Sequence, residues 1–193
     1  MRCDMTSVQD LTIYDIPNAL AVSVTELGTD YLSEKDFLEA IGSDSAFCKV
    51  VTYNRQFAGF GICQIFGPEK LGEMLHLPDS PEKRKLLSMG RIGLLDSVAV
   101  RRDLKGLGIG TGISAACLSE FELRNADVVC AMAWKSTDGT INIEGILRGM
   151  GMSPSLEIPG YWNMMVDPPG GHDCPVCGRP CRCSAVLYCM DMR

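Results

Sequence analysis

The sequence predicts an α/β domain: a mixed central sheet of six to seven strands flanked by helices, with a small metal-binding loop near the C-terminus. Three observations predict it. Short apolar or alternating runs recur between segments of helical period. A glycine-rich loop joins one of those runs to a helical pattern. Five of the ten cysteines crowd into residues 174–189.

The expected order is β-α-β-β-(insert)-β-α-β-α-β-(Cys module)-β, in one domain over residues 1–193. Residues 11–16 read as the first strand, stopped by Pro17. Ser33 offers a hydroxyl cap with Asp36 three places on. Phe37, Leu38 and Ile41 then share one side, and Gly42 closes the helix in a left-handed conformation. Residues 49–53 and 57–66 read as strands joined by a short hairpin at Asn54-Arg55-Gln56. Residues 67–89 turn polar and read as a surface insert, with Ser80-Pro81-Glu82 capping a helix and His76 at the surface. A strong strand follows over 91–100. A helix carrying Ile113, Cys117 and Phe121 ends near Arg124-Asn125. Then come a strand over 128–135, a helix over 142–150, and strands over 156–162 and 184–190.

Composition excludes some classes of function. The chain has 193 residues, 46% hydrophobic and 22% charged, which is the balance of a globular protein. No run approaches the ~20 apolar residues of a membrane helix, so no membrane partner is expected. With 18 basic against 24 acidic residues the net charge is −6, which opposes sequence-independent nucleic-acid binding and any zinc-ribbon reading of that kind. Met1-Arg2-Cys3-Asp4-Met5 lacks the apolar core of a secretory signal, so the expected compartment is cytoplasmic. Clustered thiols in a reducing compartment point to a metal more than to disulfides.

The most informative segment runs from Ile92 to Asn125. A strand ending Val98-Ala99-Val100 leads through Arg101-Arg102-Asp103-Leu104 into Lys105-Gly106-Leu107-Gly108-Ile109-Gly110-Thr111, and then into a helix. Strand, glycine loop and helix start make an anion cradle. Glycines let the backbone turn and approach an oxyanion, and the first helical turn presents unpaired N–H groups. Lys105, Arg101 and Arg102 would add mobile positive charge. The alternative is a tight strand-to-helix turn with no ligand. A Walker loop needs Gly, four residues, then Gly-Lys-Ser/Thr, and a dinucleotide fingerprint needs G-x-G-x-x-G after an early strand. Glycines at 106, 108, 110 and 112 satisfy neither.

This segment resembles the acyl-CoA-binding motif of the GNAT superfamily of N-acetyltransferases: a strand ending V-x-V, about four residues, then Arg/Gln-x-x-Gly-x-Gly/Ala. Lys105 takes the Arg/Gln place, and the element order resembles that fold over residues 10–192. The resemblance implies that acetyl-CoA binds along Val98, Ala99 and Val100, with its pyrophosphate on the amides of Lys105, Gly106, Leu107, Gly108, Ile109, Gly110 and Thr111. One departure matters. Many members carry a tyrosine acid four residues before a Gly-Phe pair. Here Gly151-Met152 takes the place of that pair, and the tyrosine position is Leu147. Tyr161, Tyr188 or water would then protonate the leaving thiolate, or no strong acid is needed.

An amine at neutral pH must lose a proton before it attacks a thioester. Asp96 is the only charge in the row Ile92, Leu94, Asp96, Val98, Val100, which shares one strand face. A carboxylate among apolar neighbours has its pKa raised, which suits a base. In several amine acetyltransferases of the resembled superfamily, an acidic residue stands four places before the last Val of this strand, as Asp96 does. The alternative is a structural hydrogen bond or an arginine pair. Glu144 reads as solvated, Asp138 and Asn142 as helix caps, and Trp134 as packing beside a cofactor or in the core.

Cys174-Pro-Val-Cys177-Gly178 is a tight knuckle, and Cys181-Arg-Cys183 follows. Four thiolates suit tetrahedral Zn²⁺ in a structural role. His172 or Cys189 could replace one of them, since the C-x-C pair must splay. A disulfide pair, a redox switch and an iron–sulfur cluster stay open. The module, residues 167–183, would lie between the last two strands, in a loop that by resemblance borders the acceptor site.

The sequence thus points to an acyl-CoA-dependent N-acyltransferase that moves acetyl from acetyl-CoA to a small-molecule or peptide amine by direct attack. A homodimer is compatible with it. The competing class is a non-catalytic acyl-CoA-binding or protein-interaction module.

Overall fold

The computed structural model describes residues 5–29, 31–163, 174 and 176–192. The seven strands form one mixed sheet in the order β1-β2-β3-β4-β5-β7-β6. The chain divides into two compact units, residues 1–64 with 95–120, and residues 65–94 with 121–193.

In the first unit, β1 (Thr6–Asp10) is an exposed strand antiparallel to β2 (Ala46–Tyr53). The strand expected over 11–16 is not there. Ile13–Asp15 is a 3-10 turn, and Pro17 stands in the first turn of helix α1 (Ile16–Glu26). Proline lacks only an N–H that has no partner at a helix start, so it opens the helix instead of stopping a strand. α2 (Glu34–Glu39) begins at the expected cap: the Ser33 amide and hydroxyl both donate to Asp36, at 2.7 Å each. Of its expected apolar side only Phe37 is buried; Leu38 and Ile41 stay exposed.

β2 and β3 (Gln56–Phe66) pair antiparallel through Asn54-Arg55. Both turn residues have positive φ, 49° and 66°, as a two-residue hairpin of right-handed twist requires. The core here joins Ile16, Ala19 and Val22 of α1 to Phe37, Val50, Phe60 and Ile62. Phe37 meets Phe60 edge-on, with ring centroids 5.1 Å apart. Helix α5 (Ile109–Leu123) lies close over β3 because β3 carries Gly61. A Cβ there would stand 2.6 Å from Ile113 Cγ2 and 2.9 Å from Cys117 Sγ.

The second unit begins with short helices α3 (Leu71–Met74) and α4 (Pro81–Leu87). Ser80 caps α4 as expected, its Oγ accepting from the Lys83 amide at 3.1 Å. β4 (Ile92–Val100) pairs parallel with β5 (Val128–Lys135) from Ile92↔Val128 to Leu94↔Cys130. β4 starts in this unit and ends in the first. β5 pairs antiparallel with β7 (Ser184–Asp191), and β7 with β6 (Ser153–Pro159).

Between β5 and β6 lies α6 (Glu144–Gly149). It ends in a hydrogen-bonded glycine turn: Met152 N donates to Leu147 O and Gly151 N to Arg148 O, both at 3.0 Å, with Gly151 at φ 88°. Asp138 caps the turn before this helix by accepting from the Thr140 amide, not the helix itself. The strand expected to run to Trp162 stops at Pro159. Gly160, at φ 65°, turns the chain into a 3-10 turn over Tyr161–Asn163.

Candidate active site

The first set of site residues follows β4 into the loop. Along the strand Leu95, Ser97 and Ala99 are buried, while Asp96, Val98 and Val100 are partly exposed. Asp96 therefore sits on the less buried face of β4, with most of its own surface covered. Burial of its carboxyl group, helped by the charge of Asp36, pushes its pKa up to about 6. Such a group is ionised at pH 7 yet close enough to neutrality to carry a proton in transit.

After β4 the chain makes a 3-10 turn over Arg102–Leu104. Gly106 and Gly108 follow with φ of 82° and 75°, a region L side chains rarely adopt. Gly112 N donates to Gly108 O at 3.0 Å, so the Gly108 carbonyl takes a first-turn bond of α5. The amides of Ile109, Gly110 and Thr111 come before that bond and have no acceptor within the helix. A Cβ at Gly106, Gly108 or Gly112 would meet open space.

The expected mobile cations are paired. Arg101 grips Asp103 through Nε at 3.1 Å and Nη2 at 2.7 Å, and donates to Phe57 O at 3.2 Å. Lys105 Nζ is 2.5 Å from Glu26 Oε2, and Arg102 Nε is 3.4 Å from Glu26 Oε1. The loop thus offers an anion amides and a dipole end rather than free side-chain charge.

The second set lies in the other unit. Tyr188 on β7 is buried and donates its hydroxyl to Glu144 Oε1 at 3.1 Å; Arg148 Nε donates to the same oxygen at 2.8 Å. Burial and the Glu144 carboxylate raise the Tyr188 pKa. Arg148 and the Tyr188 hydroxyl lower that of Glu144. Tyr161 is buried, its ring edge-on to Trp162 at 5.1 Å. Leu147 is wholly buried.

Cys174, Cys177, Cys181 and Cys183 bring their sulfurs within 4.8 Å of one another. The separations are 3.4 Å for Cys174–Cys177, 3.8 Å for Cys177–Cys181, 3.7 Å for Cys177–Cys183 and 4.0 Å for Cys174–Cys183. Sulfurs at the corners of a ZnS₄ tetrahedron with Zn–S ~2.3 Å stand ~3.8 Å apart. The four thiols therefore fit the ion. The knuckle also directs amides at sulfur: Cys177 N donates to Cys174 Sγ at 3.4 Å and Arg182 N to Cys177 Sγ at 3.2 Å. Cys189 lies on β7 outside this group, and His172 lies outside the described residues.

No protein-family model and no curated protein matches the chain. Solved structures do. The ribosomal-protein-S18-alanine N-acetyltransferase of Escherichia coli aligns over 97% of this chain and 94% of its own at 16% identity, with a TM-score of 0.63. Arabidopsis thaliana NAA60 in complex with acetyl-CoA aligns over 97% and 99% at 8% identity, with a TM-score of 0.70. A Desulfovibrio desulfuricans protein of the GNAT acetyltransferase family aligns over 98% and 100% at 9% identity, with a TM-score of 0.63.

The fold is that of the GNAT N-acetyltransferases.

Three residues escaped the sequence reading. Glu26 holds Lys105 and Arg102 from the end of α1, a helix that opens on proline with no side-chain capping bond. Glu144 looked solvated, and its bond to Tyr188 depends on how β7 and α6 fold together. Asn163 clamps the knuckle: its Nδ2 donates to Cys181 O at 2.6 Å and its Oδ1 accepts from Cys181 N at 2.9 Å. No sequence signal marked that pair. Trp134 packs 6.3 Å from Trp162, whose own indole N–H donates to the carbonyl of Ser184, next to Cys183.

Proposed function

We propose that this protein is an acetyl-CoA-dependent N-acetyltransferase acting by direct attack on a peptide amine. The observation that carries the reading is the loop over residues 105–111. Two left-handed glycines lead into the unpaired amides of α5, on a fold shared with N-acetyltransferases. That one such neighbour is named for a ribosomal protein's alanine, and another holds acetyl-CoA, supports the substrate class.

In this reading the amides of Ile109, Gly110 and Thr111 hold the diphosphate. The edge of β4 from Val98 to Val100 pairs with the pantetheine arm as an added strand. Asp96, directly or through water, accepts the ammonium proton and frees the amine's lone pair. The amine nitrogen attacks the thioester carbon, and the oxyanion leans on a backbone amide near Val98. Collapse of that intermediate breaks the C–S bond, and the extra proton on the attacking nitrogen passes to the departing thiolate or to water, leaving the neutral amide. A thiol pKa of ~8.5 makes thiolate an adequate leaving group, so the leucine at 147 does not disable the step. The Tyr188 hydroxyl already donates its hydrogen bond to Glu144, and burial and that carboxylate raise its pKa, which makes it a weak acid toward anything else.

Cys174, Cys177, Cys181 and Cys183 would hold Zn²⁺. Bound there, the ion supplies folding energy, not Lewis-acid chemistry, since four thiolates close its coordination.

The test is thiol release from acetyl-CoA with a panel of peptides bearing free α-amines. Release that requires a peptide, and a Gly108→Glu variant that keeps its circular dichroism but no longer binds CoA, are the expected results. CoA binding with no turnover on any amine, zinc supplied, would instead favour a non-catalytic acyl-CoA-binding module.

A further inference from the structure

Glu26 is a misplaced charge by ordinary rules. It ends α1, where the helix dipole disfavours an anion, and its side chain is only 6% exposed. A desolvated carboxylate at that end persists when cations compensate it. Both cations come from the approach to the glycine loop. Lys105 Nζ lies 2.5 Å from one carboxylate oxygen and Arg102 Nε 3.4 Å from the other. Arg102 Nη2 also donates to the Thr25 carbonyl at 3.4 Å, satisfying an acceptor at the same helix end. The start of the loop is thus fastened to the end of α1 by the Lys105 ion pair and the Arg102–Thr25 bond, with the Arg102 charge beside Glu26 Oε1, an oxygen that takes no hydrogen bond. Lys105 directly precedes Gly106, whose φ of 82° begins the turn toward the free amides.

We infer that Glu26 is a positioning residue for acetyl-CoA binding. It does not touch the cofactor. By holding Lys105 and Arg102 it sets the course of the chain into Gly106 and Gly108, so the amides of 109–111 point together before any diphosphate arrives. Preorganisation of this kind strengthens binding by removing an ordering cost. The inference rests on the acetyl-CoA reading and adds to it a residue on a different element.

Glu26 and Arg102 line a cleft of about 580 Å³ with Asn18, Thr25, Phe57 and Asp103. Shortening Glu26 therefore enlarges an existing space rather than hollowing a sealed core. Glu26→Ala should raise the acetyl-CoA KM about tenfold, with kcat and the peptide KM unchanged. Glu26→Gln keeps the volume and a carbonyl acceptor for Lys105, so it should recover part of the loss. Adding Glu26→Gln to Lys105→Met should cost less than Glu26→Gln costs alone, because only the Arg102 pairing is left to lose. Amide hydrogen exchange at Gly112, whose N–H is bonded to the Gly108 carbonyl, should be faster in Glu26→Gln than in the wild type when measured without CoA. An unchanged KM in both variants, tighter CoA binding, additive losses in the cycle, or unaltered exchange would each overturn the inference. Tighter binding would mean that Glu26 competes with the diphosphate for Lys105. If the wild-type protein binds no CoA at all, the acetyl-CoA reading fails and takes the binding role of Glu26 with it, while the exchange measurement still decides whether Glu26 fastens the loop.

Discussion

Asp96, the base in the proposed reading, carries a cost to stability. Its folded pKa is about 6 against an ordinary 3.8, raised first by burial and then by Asp36. The folded state therefore holds the proton more tightly than the unfolded state. Stability is lost as pH rises through the window from about 4 to about 6, and the loss is complete above it. The size is about 3 kcal/mol. Asp96→Asn should accordingly be more stable than the wild type at pH 7.5, and the two should converge in urea melts near pH 4. The same variant should lose about 100-fold or more in kcat/KM at neutral pH. The wild-type kcat/KM should rise through pH 6 and then level off. A variant that is both destabilised and fully active would deny both halves. The raised pKa of Asp96 was legible because it is the only charge in the row Ile92, Leu94, Asp96, Val98, Val100. The pairing of Lys105 with Glu26 was not, because it joins residues far apart in the chain through a helix that opens on proline.

At the scale of elements, glycines decide which surfaces close and which stay open. At Gly59 in β3 an added Cβ would overlap the Ala99 carbonyl oxygen and stand 3.0 Å from Val100 Cα. Those atoms are backbone and cannot rotate away. Gly59→Ala should destabilise the protein by about 2–3 kcal/mol, read from the shift of a urea midpoint at constant slope. Gly112 is the opposite case: helical, with open space where a Cβ would go. Gly112→Ala should stabilise α5 by about 0.5–1 kcal/mol while weakening acetyl-CoA binding. If affinity survives intact, the open space beside the helix start is not where the cofactor lies. Elements with a strong local signature could be read ahead: the Ser33 and Ser80 caps, the Asn54-Arg55 hairpin and β5 as a whole. The start of the chain could not, because residues 11–16 are rich in β-branched and aromatic side chains like a strand, and the 3-10 turn there is set by Thr12 and Asp15, whose side chains bond each other at 2.7 Å.

For the whole molecule, the mixed seven-stranded sheet and its glycine loop carry the functional reading, and the four-cysteine knuckle, in the proposed zinc-bound form, would carry a share of the stability. The chain's two tryptophans both belong to the knuckle's surroundings. Trp162 Nε1 donates to Ser184 O at 3.1 Å and packs against Trp134. Stripping metal with a chelator, or replacing Cys177 with serine, should shift tryptophan emission and lower Tm by roughly 5–10 °C. Metal analysis of the reduced protein should find about one zinc per chain. Unaltered emission and Tm after chelation would remove the metal from the account. The cysteine spacing announced this centre, whereas Asn163, which ties it to the turn after β6, left no trace in the sequence pattern. The central claim concerns the other unit: backbone amides at the start of α5 grip the diphosphate of acetyl-CoA. Its most direct measurement is the backbone ¹⁵N–¹H spectrum during titration with acetyl-CoA. The amides of residues 106–111 should move first and furthest, and saturate at one ligand per chain. Saturable binding that leaves those amides in place, or no binding at all, would contradict it.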